Sequence, residues 1–166
     1  MEKNKPISVA FEDIRNNPDF IEHSEYRFIN GDLGMVISFF AMGSRLFRTG
    51  QPYRAKEGRI IRIMQGSGRI SINLIEYEAT AHDIIIIPDN SLIEILEISP
   101  DYEFQVLMPT AHFLPVIQNS ILTEAYTRNG ILFSCNNTEW TRISHFSLYY
   151  GTYFIVRLTA AKPYST

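Results

Sequence analysis

Between Gly34 and Met108 the chain is a succession of short apolar runs, each closed by glycine, proline or asparagine within about ten residues. No other feature narrows the fold as much. Gly34 to Ala41 and Gly58 to Gln65 are two such runs, and the second ends on Gly66-Ser67-Gly68, a glycine-rich hairpin signal. From Arg69 to Tyr77 the pattern alternates, with Ile70, Ile72 and Leu74 on one face and Arg69, Ser71 and Asn73 on the other. Ile84 to Ile87 is wholly apolar and runs into Pro88, the pattern of a buried strand rather than a helix. Leu92 to Ser99 follows, and then Tyr102, Phe104, Val106 and Met108 alternate with Glu103, Gln105 and Leu107. Strands at this spacing predict a sandwich or barrel, mainly β.

The flanks differ. Residues 1–30 are punctuated by Asp13, Asn16, Asn17, Pro18, Asp19, Asn30 and Gly31 and read as an arm rich in turns. After Pro109 the period becomes helical through Phe113, Val116, Ile117, Ser120 and Ile121, with Pro115 in the first turn. Residues 125–137 read as irregular. Asn136, Asn137 and Thr138 offer N-caps for a long helix from about Glu139 to Ala161, stopped by Pro163. The expected organisation is an arm at 1–30, a barrel at 31–110 and a helical segment at 111–166.

A chain of 166 residues with 45% apolar side chains has enough material for a core without staples. Its net charge of −3 speaks against a phosphate-binding surface. The single cysteine, Cys135, allows no internal disulfide, lacks a cationic neighbourhood and reads as structural. The N-terminus has no apolar signal core, and no stretch reaches the roughly 18 apolar residues of a membrane helix. A reducing cytoplasm is the expected compartment.

Chemistry-bearing motifs are sparse. The four histidines, His23, His82, His112 and His145, are isolated from one another, so neither a His-x-His pair nor any other metal-ligand spacing is present. No G-x-S-x-G, phosphate loop or dinucleotide fingerprint is visible. We expect no metal, no cofactor and no catalytic residues. Charge is segregated: residues 45–69 carry Arg45, Arg48, Arg54, Lys56, Arg59, Arg62 and Arg69, while residues 76–103 are acidic throughout. Cross-strand pairing accounts for most of this. Two residues resist it. On a regular strand Glu94 shares a face with Leu92, Leu96 and Ile98, and Glu97 shares the other with Ile93 and Ile95, so one carboxylate should point inward. Arg62, between Ile61 and Ile63, is the natural partner, either as a structural pair or as the polar end of a ligand pocket.

Pro52-Tyr53-Arg54, the strand reaching Gln65-Gly66, Ile72 to Tyr77, His82-Asp83 followed by Ile84 to Pro88, and Ile98 to Met108 leading to Phe113-Leu114 occur in a recognisable order. The succession resembles the N-terminal cupin-like sensor and dimerisation domains of AraC-family transcription regulators, with His82 at the place where the resemblance implies a glycine. The resemblance implies a metal-free double-stranded β-helix (jelly-roll) barrel, a small-molecule effector, a homodimer formed by helices, and DNA contact only through a C-terminal helix-turn-helix domain that is not visible in this chain. Ligand contacts are expected at Tyr53, Arg62, Glu94, Glu97 and Phe104, and the arm is expected to close over the barrel mouth. Along the last helix Trp140, Ile143, Tyr150, Phe154 and Leu158 form one apolar strip, and Phe146, Tyr149, Tyr153 and Val156 a second. We place the dimer interface at Phe146, Tyr149, Tyr150, Tyr153, Phe154 and Arg157. Two other readings compete: a small metal-independent cupin enzyme of isomerase type, and a filled barrel that only dimerises. An open cavity or a packed interior separates the sensor from the filled barrel.

Overall fold

A computed structural model describes residues 5–18, 27–29, 33–40, 48–109 and 131–145. The strands are β1 (Ile7–Val9), β2 (Arg27–Ile29), β3 (Leu33–Phe40), β4 (Pro52–Ala55), β5 (Arg59–Gln65), β6 (Ser67–Ile72), β7 (Ile75–Thr80), β8 (Asp83–Ile87), β9 (Leu92–Ile98), β10 (Glu103–Pro109) and β11 (Ile131–Ser134). A short helix α1 spans Phe11–Arg15, and residues 137–145 are helical, called α2 here. The strands form two sheets, ordered β1-β4-β9-β6-β7 and β11-β8-β5-β10-β3-β2. The mainly β architecture read from the sequence is therefore present. The helix expected at 112–123 and most of the long C-terminal helix lie outside the described residues.

Alternation explains how the sheets face each other. In β5, Ile61 pairs with Ile85 of β8 and with Val106 of β10, so these side chains share one face, and all three point between the sheets. From the other sheet Ile70 and Ile72 of β6 and Ile93 of β9 meet them. Ile63, Ile72, Ile85 and Ile87 are fully buried. Fully burying side chains of this kind contributes about 1.5–3 kcal/mol each before entropy is counted.

Three sequence expectations are corrected. Residues 69–77 are not one strand. Asn73 and Leu74 take positive φ, 50° and 71°, the signature of a mirror-image two-residue hairpin turn between β6 and β7. Leu74 is therefore no core residue but lies at the tip, 81% exposed. Second, β9 is not regular. Its register against β6 slips between Arg69↔Glu97 and Ile70↔Ile95, leaving Leu96 as a bulge. The bulge returns Ile98 to the inner face and removes the need for an inward carboxylate. Third, the arm is more ordered than its turn residues suggest. β1 pairs in parallel with β4, and α1 follows directly, its Phe11 N–H donating to the Glu57 carboxylate at 2.8 Å. β11 likewise pairs with β8 in a stretch read as irregular.

Candidate functional site

An apolar cavity of about 60 Å³ lies between the sheets. One sheet supplies Tyr53, Ala55, Ile70, Ile93, Ile95 and Ile98 to its wall, and the other Ile61, Ile85, Ile87, Phe104, Val106 and Met108. The arm closes one side with Val9 and with Ile14 of α1, which is 1% exposed. Gly68 belongs to the wall because β9 runs tight against it: a Cβ there would sit 3.0 Å from the Glu97 carbonyl oxygen.

Three charged residues interrupt the apolar wall, Arg59, Arg69 and Glu97, and of these Arg59 is buried. Arg59 is 5% exposed and sits at the start of β5, opposite Ile87 and in phase with Ile61. Among the described residues it is the buried charged group on this lining. A guanidinium keeps its charge when buried and presents five donors in a fixed fork. Sequence reasoning overlooked Arg59. The available signal was its phase: it precedes Ile61 and Ile63 by even steps. Tyr102 adds a phenol whose pKa is held well above its usual value by burial and, less, by the charge of Asp83.

The expected ligand residues divide. Tyr53 and Phe104 line the cavity; the Tyr53 phenol oxygen accepts from the Arg48 backbone N–H at 2.7 Å. Glu94 points to the outer face of its sheet. Glu97 borders the cavity, yet its side chain is 75% exposed and lies 3.8 Å from the outward Arg69, which also bonds Glu76 at 3.0 Å. This is the cross-strand charge pairing anticipated for the basic and acidic segments. Arg62 is the clearest departure. It is buried, but on the far side of its sheet from the cavity, paired in register with Ile84 and Gln105. It is thereby separated from Glu94 and Glu97, and the anticipated Arg–Glu couple does not form. Both faces of β5 are apolar around it, so alternation alone did not reveal which face was inner. The dimer residues Phe146, Tyr149, Tyr150, Tyr153, Phe154 and Arg157 lie outside the described residues.

On that outer face Arg62 holds α2. Its guanidinium donates to Gln105 Oε1 at 2.9 Å and to Ser144 Oγ at 2.7 Å, and lies 4.4 Å from the centre of the Trp140 ring. The His82 ring stacks on Trp140 with centroids 4.7 Å apart. α2 is placed by its N-cap: Asn136 Oδ1 accepts from the N–H groups of Thr138 and Glu139, and the Glu139 carboxylate accepts from the Asn136 N–H at 2.9 Å. Burial, and then the Glu139 carboxylate, push the Cys135 thiol up, while Arg62 pulls it down. Among the described residues no group of three or more His, Cys, Asp or Glu side chains could hold a metal, and no helix is long and apolar enough to cross a membrane.

The solved structures similar to this chain include an AraC-family regulator and a cupin-like isomerase. ToxT from Vibrio cholerae, an AraC-family regulator, is similar in a form bound to an unsaturated fatty acid, with 17% identity, 74% of this chain covered and a TM-score of 0.44. A second ToxT structure, bound to (E)-4-(8-methylnaphthalen-1-yl)but-3-enoic acid, gives 15% identity, 63% coverage and a TM-score of 0.43. A putative mannose-6-phosphate isomerase from Ralstonia eutropha, cupin-like, gives 11% identity over 51% of this chain and 80% of its own, with a TM-score of 0.43. The chain spans about half the length of the ToxT structures, 46–47% of them. No family model and no curated protein matches it.

Proposed function

We propose that this chain is the ligand-sensing part of an AraC-type transcription regulator, a non-enzymatic cytoplasmic module that binds a small apolar acid between its two sheets. The observation that supports this is the cavity's own lining: aliphatic and aromatic walls with one buried guanidinium, Arg59. Such a lining suits an apolar tail, each buried CH₂ contributing about 0.8 kcal/mol, and an anionic head on the Arg fork. The arm residues Val9 and Ile14 cover the tail, in keeping with an arm that closes the barrel. Dimerisation through the helix that continues α2, and DNA contact through a separate helix-turn-helix domain, complete the reading.

Decanoate is a suitable probe, with 1-decanol as its uncharged counterpart. Titration calorimetry should show decanoate binding and decanol binding more weakly. Arg59→Met should lower decanoate affinity roughly 10-fold or more, the loss expected for a charge-assisted hydrogen bond, and leave decanol unchanged. Arg59→Lys, which keeps the charge, should recover part of the loss. Equal binding of acid and alcohol, or an Arg59→Met protein that folds and binds decanoate as tightly as wild type, would overturn the assignment. A metal-independent isomerase would instead turn over a phosphorylated sugar, and no specific feature of this lining favours that.

A further inference from the structure

β5 is a shared wall. Arg59, Ile61 and Ile63 point from it toward the interior, where Arg59 and Ile61 line the cavity, and Arg62 points from its other face into α2. We infer that Arg62, Trp140 and His82 form a latch that reports occupancy of the cavity to α2, with ligand entry loosening the grip on the helix. This inference rests on the ligand reading above.

Size is the first reason. The cavity measures about 60 Å³, whereas a cavity that admits benzene is about 150 Å³. A ligand that places more than a few carbons between the sheets therefore has to move a wall. Protein interiors are close-packed, so such a movement is passed on rather than absorbed. The second reason is how sharply the contacts behind β5 depend on distance. The hydrogen bonds of 2.7 Å to Ser144 and 2.9 Å to Gln105 leave the usual range of about 2.7–3.2 Å after a shift of a few tenths of an ångström. A radial gap of about 0.5–1 Å forfeits a quarter to a half of a van der Waals contact. Gln105 lies on β10, which is paired to β5 and moves with it, so a shift of the sheet relative to α2 falls on the Arg62 contacts to Ser144 and Trp140.

The third reason is backbone strain. His82 sits at φ 77°, a left-handed conformation that favours glycine. Its ring stacks on the same indole that Arg62 covers, and its carbonyl accepts from the Cys135 N–H at 3.2 Å, in the segment that leads into α2. A side chain kept at a strained position while making the contact that holds a helix is the kind of feature that marks a switch.

Linkage fixes the sign of the effect. If occupancy loosens the latch, loosening the latch first must favour occupancy. Arg62→Gln should therefore bind decanoate more tightly than wild type, by about fivefold or more, the lower end of typical couplings between sites. Ser144→Ala, a milder change on the helix, should shift affinity in the same direction by less. A residue with a purely structural role would leave affinity unchanged or weaken it. Trp140 is the chain's single tryptophan, so its emission reads the latch directly. In wild type the emission should change with the same midpoint as the calorimetric titration. In Arg62→Gln most of that change should be absent. Binding heat with constant Trp140 emission, or folded variants that bind no more tightly than wild type, would overturn the latch and leave the ligand reading intact. Absence of any binding heat for decanoate in wild type would overturn both.

Discussion

Arg59 and Arg62 are three residues apart on one strand and face opposite ways, one into a cavity and one under a helix. An arginine is rarely buried without a task, because its charge must be compensated wherever it goes. Leu74 is the converse case, a large apolar side chain 81% exposed at φ 71°. Glycine at that position should relieve the left-handed strain. Leu74→Gly is expected to raise stability by on the order of 0.5–1 kcal/mol, net of the backbone entropy that glycine loses on folding. Urea denaturation would show the gain as a higher midpoint with an unchanged slope, and a lower midpoint would mean that Leu74 contacts something that the turn geometry does not explain. Neither Arg59 nor the turn stood out from the sequence. Alternation cannot distinguish inner from outer on a strand with isoleucine on both faces, and leucine is not a turn residue.

Elements long enough to show a period were legible. β5, β8, β9 and β10 fall where apolar runs and turn residues put them, because the next glycine or proline ends each run. The N-cap at Asn136 was legible for the same local reason. What escaped was non-local. β1 and β11 are short strands fixed by partners far along the chain, and the slip at Leu96 exists only in relation to β6. That slip matters most for the site, since it turns Glu97 outward and removes the carboxylate to which Arg62 was assigned. The sequence beyond residue 145 carries two apolar strips at helical spacing, and a helix with both would call for two partners. Tyr149→Glu/Tyr153→Glu should convert a dimer to a monomer in sedimentation at tens of micromolar. A wild type already monomeric at that concentration, or a folded double variant that still dimerises, would show that the helix serves its own chain only.

At the scale of the whole molecule the described residues form layers: the two sheets enclose the cavity, α1 closes one side, and β5 carries α2 on its back. A filled barrel and a sensor differ in one respect, whether a molecule enters between the sheets. Isoleucine methyl groups from both sheets meet there, which suits methyl-labelled nuclear magnetic resonance. With ¹³C-decanoate added, the account predicts intermolecular contacts from its methylene groups to the methyls of Ile61, Ile70, Ile85 and Ile93, and none to Ile7 or Ile75, which are exposed. Contacts confined to exposed methyls, or no change at the four inner isoleucines at saturating decanoate, would contradict it.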